Sequence, residues 1–344
     1  MNDSPMGGWN TQTQKEILQM KKIAIGIDIG GTNSAIGVVD ADGNVLAKGG
    51  ISTPSHGDVD RYVKDLAEAV REMLKSVMQI NANFEVIGIG IGAPNGNYYS
   101  GTIEYAPNLS FKGVVHLVEL LKKQFPEYAH IALTNDANAA AIGEMIYGGA
   151  KGMKNFVMYT LGTGVGSGVV VNGDLVYGHD GFAGECGHTT LIPDGRLCGC
   201  GAKGHLEAYC SAPGMKRTAF ELLAKYNAID SQLASKTFQN MESKDIYDAA
   251  VKGDKVALEV FELTGKYLGQ GIADTVHHLS PEAIFLFGGP TAAGDFIFKP
   301  TIASMEAHLL PIFKNKVKVL PSKLSAGDAA IVGASALVWK ELDK

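Results

Sequence analysis

Two stretches of this chain, 132 residues apart, spell the same short unit, and that duplication restricts the fold more than any other feature. In the first, residues 22–29 alternate as a strand and run into Gly30-Gly31-Thr32. Residues 34–39 follow, then the tight turn Asp40-Ala41-Asp42-Gly43-Asn44, then residues 45–48. In the second, residues 156–161 lead into Gly162-Thr163-Gly164, followed by residues 165–171, the turn Asn172-Gly173 and residues 174–177. Asp28 falls on Thr160, Gly30 on Gly162, Gly31 on Thr163, Thr32 on Gly164 and Val38 on Val170. Each unit reads as an antiparallel meander. A matched pair, each with a Gly/Thr first turn, predicts two similar domains.

The segments after each unit have helical or buried-strand patterns. Residues 60–80 carry apolar side chains at helical spacing, and residues 84–91 form a nearly continuous apolar run with Gly88, Gly90 and Gly92. Helices are expected at 113–125, 135–147, 212–226, 243–251, 255–277, 302–310 and 329–342, and strands at 130–134, 283–287 and 317–320. Hairpins followed by strand–helix units make an α/β fold with mixed sheets.

Composition narrows the function. Hydrophobic residues are 46% of 344 and charged residues 19%, enough for two buried cores. The net charge of −6 argues against nucleic acid as a partner. No stretch reaches the roughly 18 apolar residues of a membrane span; the longest candidate, 329–339, reads as a buried helix. Residues 1–22 are polar without an apolar signal core, so they read as a loose tail with a short helix at 15–22, and the expected location is cytoplasmic. Four cysteines do not make a disulfide framework.

Several motifs carry chemistry. In Asp28-Ile29-Gly30-Gly31-Thr32, glycines let backbone N–H groups face an anion, Thr32 adds a hydroxyl and Asp28 suits the water shell of Mg²⁺. Gly162, Thr163 and Gly164 repeat the device, and two such turns across a cleft would hold a triphosphate. Either alone is also a plain hairpin turn. No G-x-x-x-x-G-K-[ST] occurs. Residues 88–93 fit G-x-G-x-x-A but open no helix, which speaks against a dinucleotide site. Asn135-Asp136 stands between a strand and an Ala-rich helix. It suits an N-cap, and equally a general base aimed at a substrate hydroxyl. His188, Cys198, Cys200 and His205 match a closed tetrahedral Zn²⁺ site in a glycine-rich knuckle, with Cys210 an alternative to His205. Glu185 and Glu207 flank it. They are acceptors for sugar hydroxyls or simply solvated acids.

These residues resemble the ROK family (repressors, open reading frames, kinases), in particular its bacterial glucokinases, from about Lys22 to the C-terminus. The family's phosphate turns look like 28–32 and 162–168, and its sugar segment like Gly92-Ala93-Pro94-Asn95 and Ala106-Pro107-Asn108-Leu109. Its Asn-Asp pair matches Asn135-Asp136, its E-x-G-H matches Glu185–His188, and its C-x-C-G-x-x-G-C-x-E matches 198–207. Two positions depart: His205 stands for the third cysteine, and Asn95 for a usual glycine. The resemblance implies a two-lobed actin/hexokinase (ribonuclease H-like) ATPase fold with mixed sheets and an interdomain cleft. Residues 22–136 with 326–344 would form the smaller lobe, and 137–325 the larger, knuckle-bearing one. ATP would bind at the two turns, with adenosine on the backbone of Gly288 and Gly289. Asp136 would take the proton of a hexose 6-hydroxyl, and Asn95, Asn108, Asn135, Glu185, His188 and Glu207 would bind the other hydroxyls. Zn²⁺ would be structural, and the protein a homodimer.

Three rivals follow: a DNA-binding regulator of the same family, whose helix-turn-helix does not fit in the 22 residues before the first strand; a non-sugar ATPase or chaperone-like module; and a kinase of the family acting on N-acetylmannosamine, N-acetylglucosamine, fructose or allose.

Overall fold

The computed structural model describes residues 20–54 and 57–342. The tail and most of the expected 15–22 helix lie outside them. Lys21 and Lys22 open a strand instead.

The first sheet has the order β3-β2-β1-β4-β8, from β1 (Lys21–Ile29), β2 (Asn33–Asp40), β3 (Val45–Ser52), β4 (Phe84–Gly92) and β8 (His130–Thr134). β1–β2–β3 pair antiparallel, whereas β1, β4 and β8 run parallel. Helix α1 (Val59–Ile80) starts where the Asp58 side chain accepts from Arg61 N, and its stripe of Tyr62, Val63, Leu66, Val70, Leu74 and Val77 is buried. It covers a core containing Ile23, Ile25, Ile27, Ile29, Ile89 and Ile91, each side chain contributing about 1.5–3 kcal/mol by burial.

A small sheet, which the hydrophobic pattern did not predict, is built from β5 (Gly96–Asn97), β6 (Thr102–Glu104) and β7 (Val114–Val115). It shortens the helix expected at 113–125 to α2 (Leu117–Gln124): Gly113 takes a φ of 72° and turns Val114 and Val115 into pairing with β6.

The second sheet has the order β11-β10-β9-β12-β13, from β9 (Phe156–Leu161), β10 (Val165–Val171), β11 (Asp174–Leu175), β12 (Ala283–Phe287) and β13 (Lys318–Pro321). This is the topology of the first sheet, so the duplicated unit is real. The register corrects the alignment in its second strand. Val38 pairs with Ile25; Ile25's counterpart 132 residues on, Val157, pairs with Val169, not Val170. The second Gly/Thr turn is one residue shorter.

Helices α4 (Glu207–Cys210), α5 (Ala212–Tyr226), α6 (Ser243–Val251), α7 (Lys255–Leu279) and α8 (Asp295–His308) belong with the second sheet or pack beside it. α8 begins seven residues before the expected 302 and contains Pro300. A proline reads as a helix stop, but packing on α7 overrides it: a Cβ at Gly265 would lie 2.6 Å from the Pro300 ring.

Between the sheets cross α3 (Asp136–Ile146) and α9 (Ala329–Leu342). α9 lies on β1 and β4 and α3 on β9 and β10. Glycine makes the first contact possible: a Cβ at Gly26 would sit 1.9 Å from Ile331 O, and one at Gly90 1.9 Å from Ala334 O. Within the G-x-G-x-x-A string, Gly90 therefore serves helix packing, while a Cβ at Gly88 would first meet His130 O of β8 at 2.2 Å. Among the described residues no helix is long and apolar enough to cross a membrane.

Candidate active site

The C-terminal ends of β1, β4 and β8 line up Asp28, Gly92 and Thr134 in one row, and Asn135-Asp136 follows directly. Ligands of open α/β sheets gather at this edge. Gly92 lies against both aspartate positions: a Cβ there would be in ordinary contact with Asp28 Oδ1 at 3.7 Å and Asp136 Cα at 3.8 Å. Asn135 is the N-cap of α3, its Oδ1 accepting from Asn138 N at 2.6 Å. That oxygen is committed, and only the amide Nδ2 is left to donate to a ligand. Asp136 opens the helix, with Oδ1 accepting from Ala137 N at 2.8 Å. It is reached by solvent yet set deep in the molecule, as a group on a cleft floor is.

Both carboxyls are held above the usual aspartate range. Burial raises Asp136 against the lowering effect of its backbone hydrogen bonds. Burial first, and the Asp136 charge second, raise Asp28 from 3.8 to about 6. Folded Asp28 thus binds a proton more readily than in the unfolded chain, so stability falls as pH rises from about 4 to about 6 and stays lower above it. Asp28→Asn is therefore expected to stabilise the ligand-free protein by about 1–3 kcal/mol at pH 8 and by little at pH 4, while weakening turnover. Denaturant melts at the two pH values check it.

The first Gly/Thr turn closes with Gly30 N donating to Asn33 O at 3.0 Å, and Thr32 is exposed. Gly31 lies under the sugar segment: a Cβ there would be 2.4 Å from Asn108 O. From the sequence, Gly31→Val is expected to raise the requirement for ATP more than that for sugar. The contact instead predicts that it displaces Asn108 too, raising KM for ATP and for hexose together by about tenfold or more, as two-substrate kinetics would measure. Asn108 itself is exposed at this turn. Asn95 takes a φ of 51°, and its Nδ2 donates to Glu104 O and Tyr105 O. Asparagine tolerates this left-handed backbone, which explains it at a glycine position. Its donors hold the strap after β6, so the hydroxyl contact expected of it is reduced to Oδ1.

The second turn has Gly162 N donating to Gly164 O at 3.0 Å, with Thr163 exposed. Glu207, expected at a sugar hydroxyl, reaches this turn: Oε2 accepts from Val165 N at 3.1 Å and Oε1 from the Cys198 thiol at 3.1 Å. Gly164 leaves space for that carboxylate, which would lie 2.4 Å from its Cβ. Glu185 is raised, first by burial, with His188 opposing and the Asp136 and Glu207 charges adding. So Asp28, Asp136, Glu185 and Glu207 form one series of carboxylates joining the two turns. Gly289 faces open space, whereas Gly288 (φ 110°) is a packing necessity, its missing Cβ falling 2.0 Å from Leu161 O.

The knuckle closes as a four-residue cluster. The ligand atoms of His188, Cys198, Cys200 and His205 all lie within 4.8 Å of one another. His188 Nδ1 to His205 Nδ1 is 3.3 Å, Cys198 Sγ to His188 Nδ1 3.8 Å and Cys200 Sγ to His205 Nδ1 3.3 Å. A tetrahedron with Zn–N of about 2.0–2.1 Å and Zn–S of about 2.3 Å has edges of about 3.3–3.8 Å, so the donor set fits that ion. Cys210 is fully buried, with Sγ against Thr264 O at 3.6 Å, and does not join. Sequence reasoning missed Arg196. It stacks over Tyr209, pairs with Glu221 and donates to Ala208 O, Gly214 O and Thr218, fastening the cysteine loop to α4 and α5. Its partners are 12–25 residues away, so no local motif marks it.

Two hairpin-led sheets of one topology, with an acid-lined cleft at their strand ends, define the two-lobed actin/hexokinase-like fold. The ROK family description matches residues 24–341. A glucokinase of Thermotoga maritima is 31% identical over 92% of this chain and 98% of its own length, and one of Halalkalibacterium halodurans 35% identical over 92% and 95%. A ROK family glucokinase of Streptomyces griseus, solved with glucose and AMPPNP, is 30% identical with a TM-score of 0.75, over 92% of this chain and 99% of that one. A xylose repressor of Bacillus spizizenii is 27% identical over 93% of this chain and 78% of its own. The chain belongs to the ROK family, on its glucokinase-like sugar kinase side.

Proposed function

We propose that the protein transfers the γ-phosphoryl group of ATP to the 6-hydroxyl of a hexose, glucose first among them, in the cytoplasm. The single observation that carries this is the deep-set yet accessible Asp136 carboxylate at the start of α3, between Asp28 and Glu185. The glucokinases among the relatives, and the glucose and AMPPNP of the Streptomyces griseus structure, support it. Asp136 accepts the proton of the attacking hydroxyl. The N–H groups of the two Gly/Thr turns hold the phosphates, and Gly289 leaves room for the nucleoside. Phosphoryl transfer asks mainly for alignment and charge stabilisation. Asp28 would hold Mg²⁺, which neutralises phosphate charge when bound.

Glu185, His188 and the Asn135 amide bind other hydroxyls. A metal ion bound at His188 Nδ1 would leave that ring's proton on Nε2, a fixed donor. Zn²⁺ in the cluster is structural, since four protein ligands leave no open position. The lobes divide as 22–136 with 326–344 and 137–325, supported by α9 lying on the first sheet and α3 on the second. The four free thiols suit a reducing compartment. The homodimer is tested by light scattering.

The deciding experiment is coupled ADP release over glucose, N-acetylmannosamine, N-acetylglucosamine, fructose and allose. Glucose is expected to give the highest kcat/KM. Another sugar ahead by tenfold reassigns the substrate, and no sugar-stimulated release removes the kinase reading.

A further inference from the structure

We propose that Asn97 is a positioning residue for the hexose subsite, fastening the loop that delivers Glu185 to the lobe opposite its own. The proposal rests on Glu185 being a hexose ligand, as argued above.

Asn97 lies in β5, on the first lobe, and is 5% exposed. Its amide is used to capacity. Nδ2 donates to Glu104 Oε1 at 3.1 Å and to Asp180 O at 2.8 Å, while Oδ1 accepts from Tyr99 N at 3.0 Å and Ser100 N at 3.4 Å. Asp180 belongs to the other lobe, in the segment that leaves β11 and ends at Glu185. Two further contacts join the same places: the Tyr99 hydroxyl donates to Gly178 O at 3.0 Å, and Tyr98 stacks on Tyr177 with centroids 4.1 Å apart. Gly181 (φ 94°) lets the loop pass, since a Cβ there would fall 2.4 Å from Asn97 Oδ1.

Inside the loop Ala183 N donates to Tyr177 O at 3.1 Å and Phe182 N to Asp180 Oδ1 at 3.3 Å, and neither bond reaches Glu185. Gly178, Gly181 and Gly184 all have positive φ. Its far end is held by Ser167 of β10, whose hydroxyl donates to Gly184 O and accepts from Cys186 N at 3.0 Å. Glu185 therefore sits between one clamp on its own sheet and another on the first lobe at Asn97, two residues from Asn95, which holds the strap that carries Asn108. A loop fixed at both ends loses less freedom when it binds. Breaking the outer clamp should cost hexose affinity and spare the nucleotide, whose turns lie elsewhere.

The test uses two variants of the full chain. Tyr99→Phe removes one bond from a residue that is 60% exposed, so the core is untouched. Asn97→Ser keeps a turn acceptor but cannot reach Asp180 O. Each is expected to raise hexose KM about three- to tenfold with ATP KM within twofold, since each loses one hydrogen bond to the loop, Asn97→Ser losing the Glu104 contact inside its own lobe as well. Amide hydrogen exchange across 178–185 should speed up in both, without substrate. Hexose KM within twofold of wild type, equal rises for both substrates, or unchanged exchange would each overturn the proposal. If wild type itself shows no hexose-stimulated ADP release, the kinase reading falls first and the hexose role of Asn97 with it.

Discussion

Asp136→Asn is expected to lower kcat by about two to four orders of magnitude while hexose Kd stays within about threefold. The substitution keeps shape: the asparagine oxygen can still accept from Ala137 N, as Asp136 Oδ1 does at 2.8 Å, and α3 keeps its Asn135 cap. What disappears is the carboxylate oxygen proposed to take the proton. Coupled kinetics give kcat and calorimetry with sugar alone gives Kd; activity within about tenfold of wild type, on a clean preparation, would refute the base assignment. The pH profile adds a second check. A base must be deprotonated to act, so activity falls as pH drops through its pKa, and burial moves that fall upward from the ordinary aspartate value. Asp28, at about 6, titrates beside it, so the acid limb belongs to the pair. In Asp136→Asn the limb loses one member, and Asp28 moves down because the neighbouring charge that helped raise it is gone.

The duplication was legible because the period-2 pattern and the Gly/Thr turns are local, and the sheet orders follow from it. What stayed hidden depends on contacts between distant residues. The one-residue shortening of the second turn appears only in the pairing of Val157 with Val169. Residues 114–115 read as part of a helix because their apolar pattern runs into α2; only their partners in β6 make them a strand. At the site, Asp136 and the four knuckle residues could be found from residue type and spacing. Asn95, Asn135 and Glu207 were read as hydroxyl ligands without regard to the bonds they already make, because a sequence does not show which of their polar atoms are committed. Gly31 shows the same limit from the other side. Its turn is local, but the atom that forbids a side chain there, Asn108 O, is 77 residues away.

Cys198→Ser should release the metal, and the damage should reach the sugar side of the cleft. Purified wild type is expected to carry about one zinc per chain by elemental analysis, and the variant little. Cys210→Ser, which alters a buried thiol outside the cluster, should keep it. The residues between Gly187 and Leu206 form no helix or strand beyond His188 at the end of a short helical turn; two isolated bridges, Thr190 with His205 and Leu197 with Lys203, and backbone bonds such as Leu191 N to Gly204 O and Cys198 N to Ala202 O shape them. A four-ligand ion would be the strongest cross-link in this segment, and its loss is expected to lower Tm by about 5–15 °C. Global unfolding is not expected, because Arg196 still ties the loop to Glu221 and to the carbonyls of α4 and α5. The functional reach follows from connectivity. His188 is itself one of the four cluster residues, and Glu207 stands two residues after His205 while accepting from Val165 N beside the second Gly/Thr turn. Metal loss should therefore raise both KM values and leave a folded, weakened enzyme. Stoichiometric activity from a zinc-free wild type with an unchanged melt would remove the ion from this account, whereas loss of zinc from Cys210→Ser would redraw its ligand set.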